Sequence, residues 1–292
     1  MTDLRLLIEK LPIRNENSHK GSFGTLTVVG GSDLYRGAPA LNVASALRCG
    51  VGVVRLLSSE RVISSVSAKI YEAVYLPVKE NEKGGIDSVD YISKQKQIMS
   101  SSSILVGCGM KESFDTEAIV SSLLRNYEGS LVIDADGLNS IKTCTERLKD
   151  AHKTPVITPH IGEMSRLTGI SPSEIAENRI SVAKSFASEH NCVVVLKDDI
   201  TVIASPCGAQ HVVANPNSGL SKGGSGDVLS GIIASLSAQG MTAYDAAVCG
   251  VILHSLSAKK AAEELCKEAM LPSDIIRHIS TVYREIRKER NK

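Results

Sequence analysis

The chain has no tryptophan and only 3 phenylalanines and 7 tyrosines among 292 residues, so its core has to be aliphatic and alanine-packed. No apolar run reaches the ~18 residues that a membrane-crossing helix needs. The N-terminal stretch Met1–Lys20 mixes charges with apolar residues and holds no continuous hydrophobic region. A cytoplasmic location with no membrane partner is the expectation. Charge of one sign is also missing: 33 basic against 32 acidic residues, formally +1, gives no electrostatic case for a nucleic-acid partner. Seven cysteines form no Cys-x-x-Cys pair, which suits buried reduced thiols better than disulfides or a zinc site. Two phosphate-binding signatures are absent as well. No Gly-x-x-x-x-Gly-Lys-[Ser/Thr] occurs, which argues against a P-loop enzyme, and the Gly21–Gly24 and Gly30–Gly31 glycines fail the dinucleotide spacing.

What is present is an ordinary globular composition, 42% hydrophobic and 22% charged. Apolar strands are expected at Thr25–Val29, Val51–Leu57, Glu72–Val78, Ile104–Gly109, Leu131–Asp136, Pro155–Pro159, Val193–Lys197, Ile200–Ser205 and Gln210–Ala214. Helices are expected at Leu4–Leu11, Pro39–Cys49, Ser59–Lys69, Asp115–Asn126, Ser173–His190, Val228–Gln239, Ala243–Leu265 and Pro272–Arg290, with an exposed loop at Lys79–Asp87. Alternating strands and helices with continuously apolar strands mean an α/β fold, a mostly parallel sheet covered on both faces. The tight acidic turn Asp198-Asp199 predicts an antiparallel section near 193–214. With no linker and no repeat, one domain over 1–292 is expected.

The chain is organised around Asn217-Ser-Gly-Leu-Ser-Lys-Gly-Gly-Ser-Gly-Asp227, a glycine cluster feeding an apolar helix. Such a loop offers unpaired amides and the positive end of a helix dipole to an anion. A carboxylate beside bound phosphate repels it, so Asp227 needs a role. Either it takes a proton from a hydroxyl that attacks the phosphoryl group, or it caps the helix expected to begin at Val228.

Polar or glycine-rich residues end nearly every strand: Gly30–Asp33, Gly107–Gly109, Asp134–Asp136, Thr158–His160 and Lys197–Asp199. In a doubly wound sheet these converge on one crevice. His160 is either a ligand contact or a capping residue. Asp134 and Asp136, two apart at a strand end, either hold Mg²⁺ through water or cap the next turn. Lys197 either reaches a phosphate or is an exposed strand-end lysine, and Tyr35–Ala38 either closes over a substrate or is plain surface.

These pieces resemble the NAD(P)H-hydrate dehydratases, the carbohydrate-kinase-like group of the ribokinase-like superfamily. The likeness rests on Lys20-Gly-Ser-Phe-Gly24, Gly30-Gly-Ser32, Gly37-Ala-Pro-Ala40, Asp134-Ala-Asp136, Thr158-Pro-His-x-Gly-Glu163, Leu196-Lys197 and the 217–227 loop. The resemblance implies repair of NADH and NADPH hydrated at C6 of the nicotinamide ring (the S epimer of NADHX or NADPHX), driven by ADP or ATP with Mg²⁺. It implies that Asp227 is catalytic beside the amides of Gly224, Ser225 and Gly226, with Asn217 a further candidate. It places Ala38, Gly109 and His160 on the hydrated dinucleotide, and Lys197, Asp198, Asp199, Ile200, Thr201 and Gly226 on the donor. A homo-oligomer, commonly a tetramer, is implied too. Since only about 20 residues precede the match, where the family often carries an epimerase domain, a separate epimerase is expected.

Two departures stand out. The family usually has Gly-Pro-Gly-Leu-Gly where this chain has Gly107-Cys-Gly-Met-Lys111, and Leu-Lys-Gly where it has Leu196-Lys-Asp-Asp199. The extra carboxylates either weaken phosphate binding or help a metal. Two other readings compete: a vitamin-precursor or sugar kinase of the same superfamily, and a non-catalytic nucleotide-binding regulator.

Overall fold

The apolar strands do assemble as one sheet, and the helices between them cover both of its faces. The computed structural model describes residues 3–292. In chain order its elements begin with α1 (Asp3–Lys10), β1 (Thr25–Val29), α2 (Gly37–Arg48), β2 (Val53–Ser59), α3 (Glu60–Ser67) and β3 (Val74–Val78). They continue through α4 (Ser88–Met99), β4 (Ser103–Val106), α5 (Phe114–Asn126), β5 (Ser130–Ile133), α6 (Asp136–Ser140), β6 (Val156–Ile157), α7 (Ile161–Thr168), α8 (Pro172–Glu177) and α9 (Arg179–His190). The last third holds β7 (Val193–Leu196), β8 (Thr201–Ala204), β9 (Gln210–Val213), α10 (Ser225–Ala238), α11 (Ala243–Leu265) and α12 (Pro272–Arg290).

The strand order is β3-β2-β1-β4-β5-β6-β7-β8-β9. Every pairing from β3 to β7 is parallel, and β7-β8-β9 is antiparallel. The period-2 alternation of strand side chains feeds two cores. Leu26, Val28, Val193 and Val195 pack with α2, α10 and α11, while Val29, Val194 and Leu196 pack with α5, α7 and α9. Sequential strands run outward in opposite directions from the β1–β4 pair, so the crevice for ligands opens beyond the carboxyl ends of those two strands. There Gly31 N–H donates to Cys108 O at 2.9 Å and ties the two strand ends together.

The structure corrects four expectations. A helix, α4, fills 88–99 and carries the chain from the edge strand β3 back past β2 and β1 to β4, a crossover that the sparse apolar pattern hid. The helix expected over Ser173–His190 is two helices, α8 and α9, broken at Asn178 with φ −117° and ψ 27°. Helix α10 starts at Ser225 rather than Val228, because left-handed Gly224 (φ 102°) already serves as its N-cap. Strand β5 stops at Ile133, so Asp134 and Asp136 do not alternate along a strand. They leave it through Ala135, whose φ of 51° is a strained backbone for alanine.

All seven cysteines are free: Cys49, Cys108, Cys192 and Cys249 are buried, whereas Cys207 and Cys266 are exposed. Among the described residues no helix is long and apolar enough to cross a membrane.

Candidate active site

The site is built from the first turn of α10 and the strand ends facing it. Helix α10 is the most deeply buried helix, and its amino end points at the crevice. Gly226 and Asp227 are its second and third residues, whose amides have no intrahelical acceptor. The Ser225 amide is engaged instead, donating to Lys222 O at 3.2 Å. The nest therefore rests on Gly226 and Asp227, shifted from the expected 224–226.

Asp227 is not a cap: the N-cap is Gly224, with no side-chain capping bond. Its main-chain carbonyl accepts from Asn42 Nδ2 at 2.8 Å and from Ser230 Oγ at 3.2 Å, which fixes the turn to α2. Its carboxylate faces the strand ends, next to the Cys108 thiol. Burial first, and then the negative charge of Asp134, push its pKa up to about 6, against the opposing pull of Cys108 and Lys197.

Lys197 continues β7 into the crevice and ion-pairs with Asp134 Oδ1 at 2.9 Å. Desolvation pulls this ammonium down, but the charges of Asp134 and Glu163 outweigh it and leave the pKa raised, so Lys197 is charged. Its Nζ lies 3.4 Å from where a Cβ on Gly226 would stand, so glycine there lets the ammonium and the nest share one opening. Backbone pairing sets His160 beside Lys197. His160 N-caps α7, its Nδ1 accepting from the amides of Gly162 and Glu163 at 2.9 and 3.2 Å, while Glu163 returns a bond to the His160 amide at 2.8 Å. Burial and then Lys197 hold the imidazole below its usual pKa, hence neutral. Capping and lining the cleft are both true of it.

On one side of Gly226 is a cleft of about 600 Å³ lined by His160, Lys197, Asp198, Asp199, Thr201 and Asn217, among others. Ile200 is not among its lining residues; its amide bonds Asp199 Oδ1 at 2.8 Å. Asn217 supports the loop, accepting from Gly219 N at 3.1 Å and donating to Ala258 O at 3.2 Å. Asp198 and Asp199 are both matched by Arg179 of α9, at 3.2 and 2.8 Å, so the departing acidic turn is neutralised locally. One residue past Cys108 the structure brings Gly109 (φ 68°) against Tyr35 and Ala38: a Cβ on Gly109 would meet Ala38 Cβ at 3.3 Å. Asp136 accepts the Lys111 amide at 2.8 Å, and burial raises its pKa. The Lys111 ammonium ion-pairs with Asp33 and reaches Lys83 O at 2.7 Å, pinning the 33–38 loop.

Three residues escaped the sequence reading. Asn42 is a buried polar side chain on the apolar face of α2, and that misfit was its visible signal. Arg179 had none, because its partners Asp198 and Asp199 are 19 and 20 residues away. His254 lines the same cleft from α11 with Nε2 unpartnered, and burial lowers its pKa to about 4. It sits among Val251, Ile252 and Leu253, where a core histidine looks the same.

A parallel sheet that ends antiparallel, covered by helices on both faces, defines the ribokinase-like class of fold. The chain belongs to the NAD(P)H-hydrate dehydratase family, whose model it matches over residues 26–281. It is 34% identical over 249 residues to the ADP-dependent (S)-NAD(P)H-hydrate dehydratase of Neisseria meningitidis, covering 84% of this chain and 79% of that one. It is also 34% identical over 295 residues to the bifunctional NAD(P)H-hydrate repair enzyme of Thermofilum pendens, covering 99% of this chain but 56% of that one. The chain thus spans about half the length of such bifunctional relatives. Among solved structures, the ADP/ATP-dependent NAD(P)H-hydrate dehydratase of Bacillus subtilis, co-crystallised with ATP/Mg²⁺, superposes with a TM-score of 0.83 at 26% identity. The match covers 98% of this chain and 97% of that one.

Proposed function

We propose that this chain dehydrates the S epimer of NADHX and NADPHX to NADH and NADPH, using ADP or ATP as phosphoryl donor. The observation that carries the reading is the place of Asp227: a carboxylate raised to about 6, next to free helix-start amides, one residue beyond Gly226 of the cleft and beside Cys108, the chain neighbour of Gly109.

Hydroxide is a poor leaving group and a phosphate ester a good one, so the donor's terminal phosphoryl makes the elimination possible. The donor lies in the cleft with its terminal phosphate at the amides of Gly226 and Asp227 and near the Lys197 ammonium. The ring lies toward Ala38, Gly109 and His160. Asp227 accepts the proton of the C6 hydroxyl as its oxygen bonds to phosphorus, and the donor leaves one phosphate shorter. The ring nitrogen then expels inorganic phosphate from C6, and loss of a C5 proton restores the dihydropyridine. Asp134, Asp136 and Asp227 place three carboxylates near a single ammonium, a negative field that fits a cation. Asp134 is engaged by Lys197 and Asp136 by the Lys111 amide. Mg²⁺ would therefore be held by the donor's phosphates and water, and would supply charge neutralisation.

The test is incubation with acid-hydrated NADH, Mg²⁺ and ADP or ATP. Recovery of reduced-nicotinamide absorbance with one phosphate released per turnover is expected. A stable phosphorylated product would mean a kinase, and nucleotide binding without turnover a regulator.

A further inference from the structure

Away from the crevice, three ligand atoms meet at the carboxyl end of α9, roughly 16 Å along the helix from Arg179 at 1.5 Å per residue. They belong to Glu146, in a 3₁₀ turn over Thr145–Asp150, and to Glu189 and His190. One oxygen of each glutamate and one imidazole nitrogen all lie within 4.8 Å of one another.

The histidine makes this more than a pair of surface acids. His190 is only 5% exposed, and its Nδ1 is buried with no hydrogen-bond partner. Glu146 Oε1 stands 3.7 Å from that nitrogen, too far for a hydrogen bond. The ring is held in place by Phe186, with centroids 4.2 Å apart. Glu146 gives its other oxygen to Lys149 at 2.7 Å, which keeps the carboxyl below its usual pKa and leaves Oε1 facing the imidazole.

We propose that Glu146, Glu189 and His190 form a site for a divalent transition-metal ion of the zinc type, structural and separate from the reaction. Ligands of one tetrahedral ion stand roughly 3.4 Å apart, given metal–ligand distances near 2.1 Å. Small rotations of two exposed glutamates close the observed triangle to that size. An imidazole nitrogen with carboxylates suits zinc better than magnesium or calcium, which prefer all-oxygen shells. The adjoining cleft of about 390 Å³ has room for water to complete the coordination. A simple Glu146–His190 ion pair would need a protonated buried imidazole and would leave Glu189 without a role. The carbonyl end of α9 also favours a cation there. Bound, the ion staples the 3₁₀ turn to α9 just before β7, the strand that positions Lys197.

The test is calorimetric titration of the full chain with ZnCl₂, after EDTA treatment and alkylation of the exposed thiols of Cys207 and Cys266. One saturable zinc per chain is expected, weakened at least about tenfold in Glu189→Gln, since loss even of an outer-shell partner costs that much. Binding should vanish in Glu146→Gln/Glu189→Gln, whose exposed positions leave folding intact. Zinc should raise Tm in the parent and not in the double variant, with dehydratase turnover equal in both. No saturable binding, or equal affinity in the double variant, overturns the proposal.

Discussion

The floor and the rim of the crevice are both acidic residues matched to one base, and they differ in their access to water. At the floor Lys197 and Asp134 pair at 2.9 Å with side chains 19% and 3% exposed. At the rim Arg179 holds Asp198 and Asp199 at 3.2 and 2.8 Å, with the carboxylates 36% and 61% exposed. Buried charges act on one another strongly, whereas exposed ones are screened. At the floor, burial first and then the charge of Asp134 raise the Asp227 pKa, and a charged ammonium stands beside the nest. The rim can only shape the mouth.

The largest effect that would break this contrast is at Asp227. Asp227→Asn should lower kcat by about 10²–10⁴, the usual contribution of a general base, while donor affinity is kept. The same change should stabilise the fold. Raising the carboxyl from 3.8 to about 6 on folding costs about 3 kcal/mol at neutral pH. The sign follows from proton counting: the native state binds the extra proton between those values, so stability falls as pH rises through that window. The gain in Asp227→Asn should be full above it and vanish below, as urea melts across pH would show.

Breaking the floor pair comes next. Lys197→Met leaves Asp134 buried and unpaired and should destabilise by about 3–5 kcal/mol, with much recovered in Lys197→Met/Asp134→Asn. Asn42→Ala removes the donor to the Asp227 carbonyl and should cost about 1–3 kcal/mol in the same melts. Smallest is the rim: Arg179→Gln should change stability by less than about 1 kcal/mol, an effect that high salt erases. A rim variant as costly as Lys197→Met would dissolve the distinction.

Much of the floor was legible because its residues sit at strand ends or in the glycine loop, where local chain rules fix position. The places of Asp227, Lys197, His160 and Gly109 came from such rules, while the assignment of Ala38, Gly109 and His160 to the hydrated dinucleotide came from the family resemblance. What stayed hidden was non-local. The pairing of Arg179 with Asp198 and Asp199 neutralises the acidic turn, which neither reading of it anticipated, and no spacing reports it. Helix α4 was unreadable because it buries only Tyr91 and Ile98, too few to show a period. The start of α10 was misplaced because glycines read as loop, while left-handed Gly224 lets the helix begin three residues early. That shift moved the nest to Gly226 and Asp227 and removed the capping role.

The most direct test is the pH dependence of kcat/KM for hydrated NADH in the parent and in Asp227→Asn. A base must be deprotonated to act, so the parent should lose activity as pH falls through about 6, and the residual activity of Asp227→Asn should show no such limb. The same acid limb in the variant would contradict Asp227 as the proton acceptor.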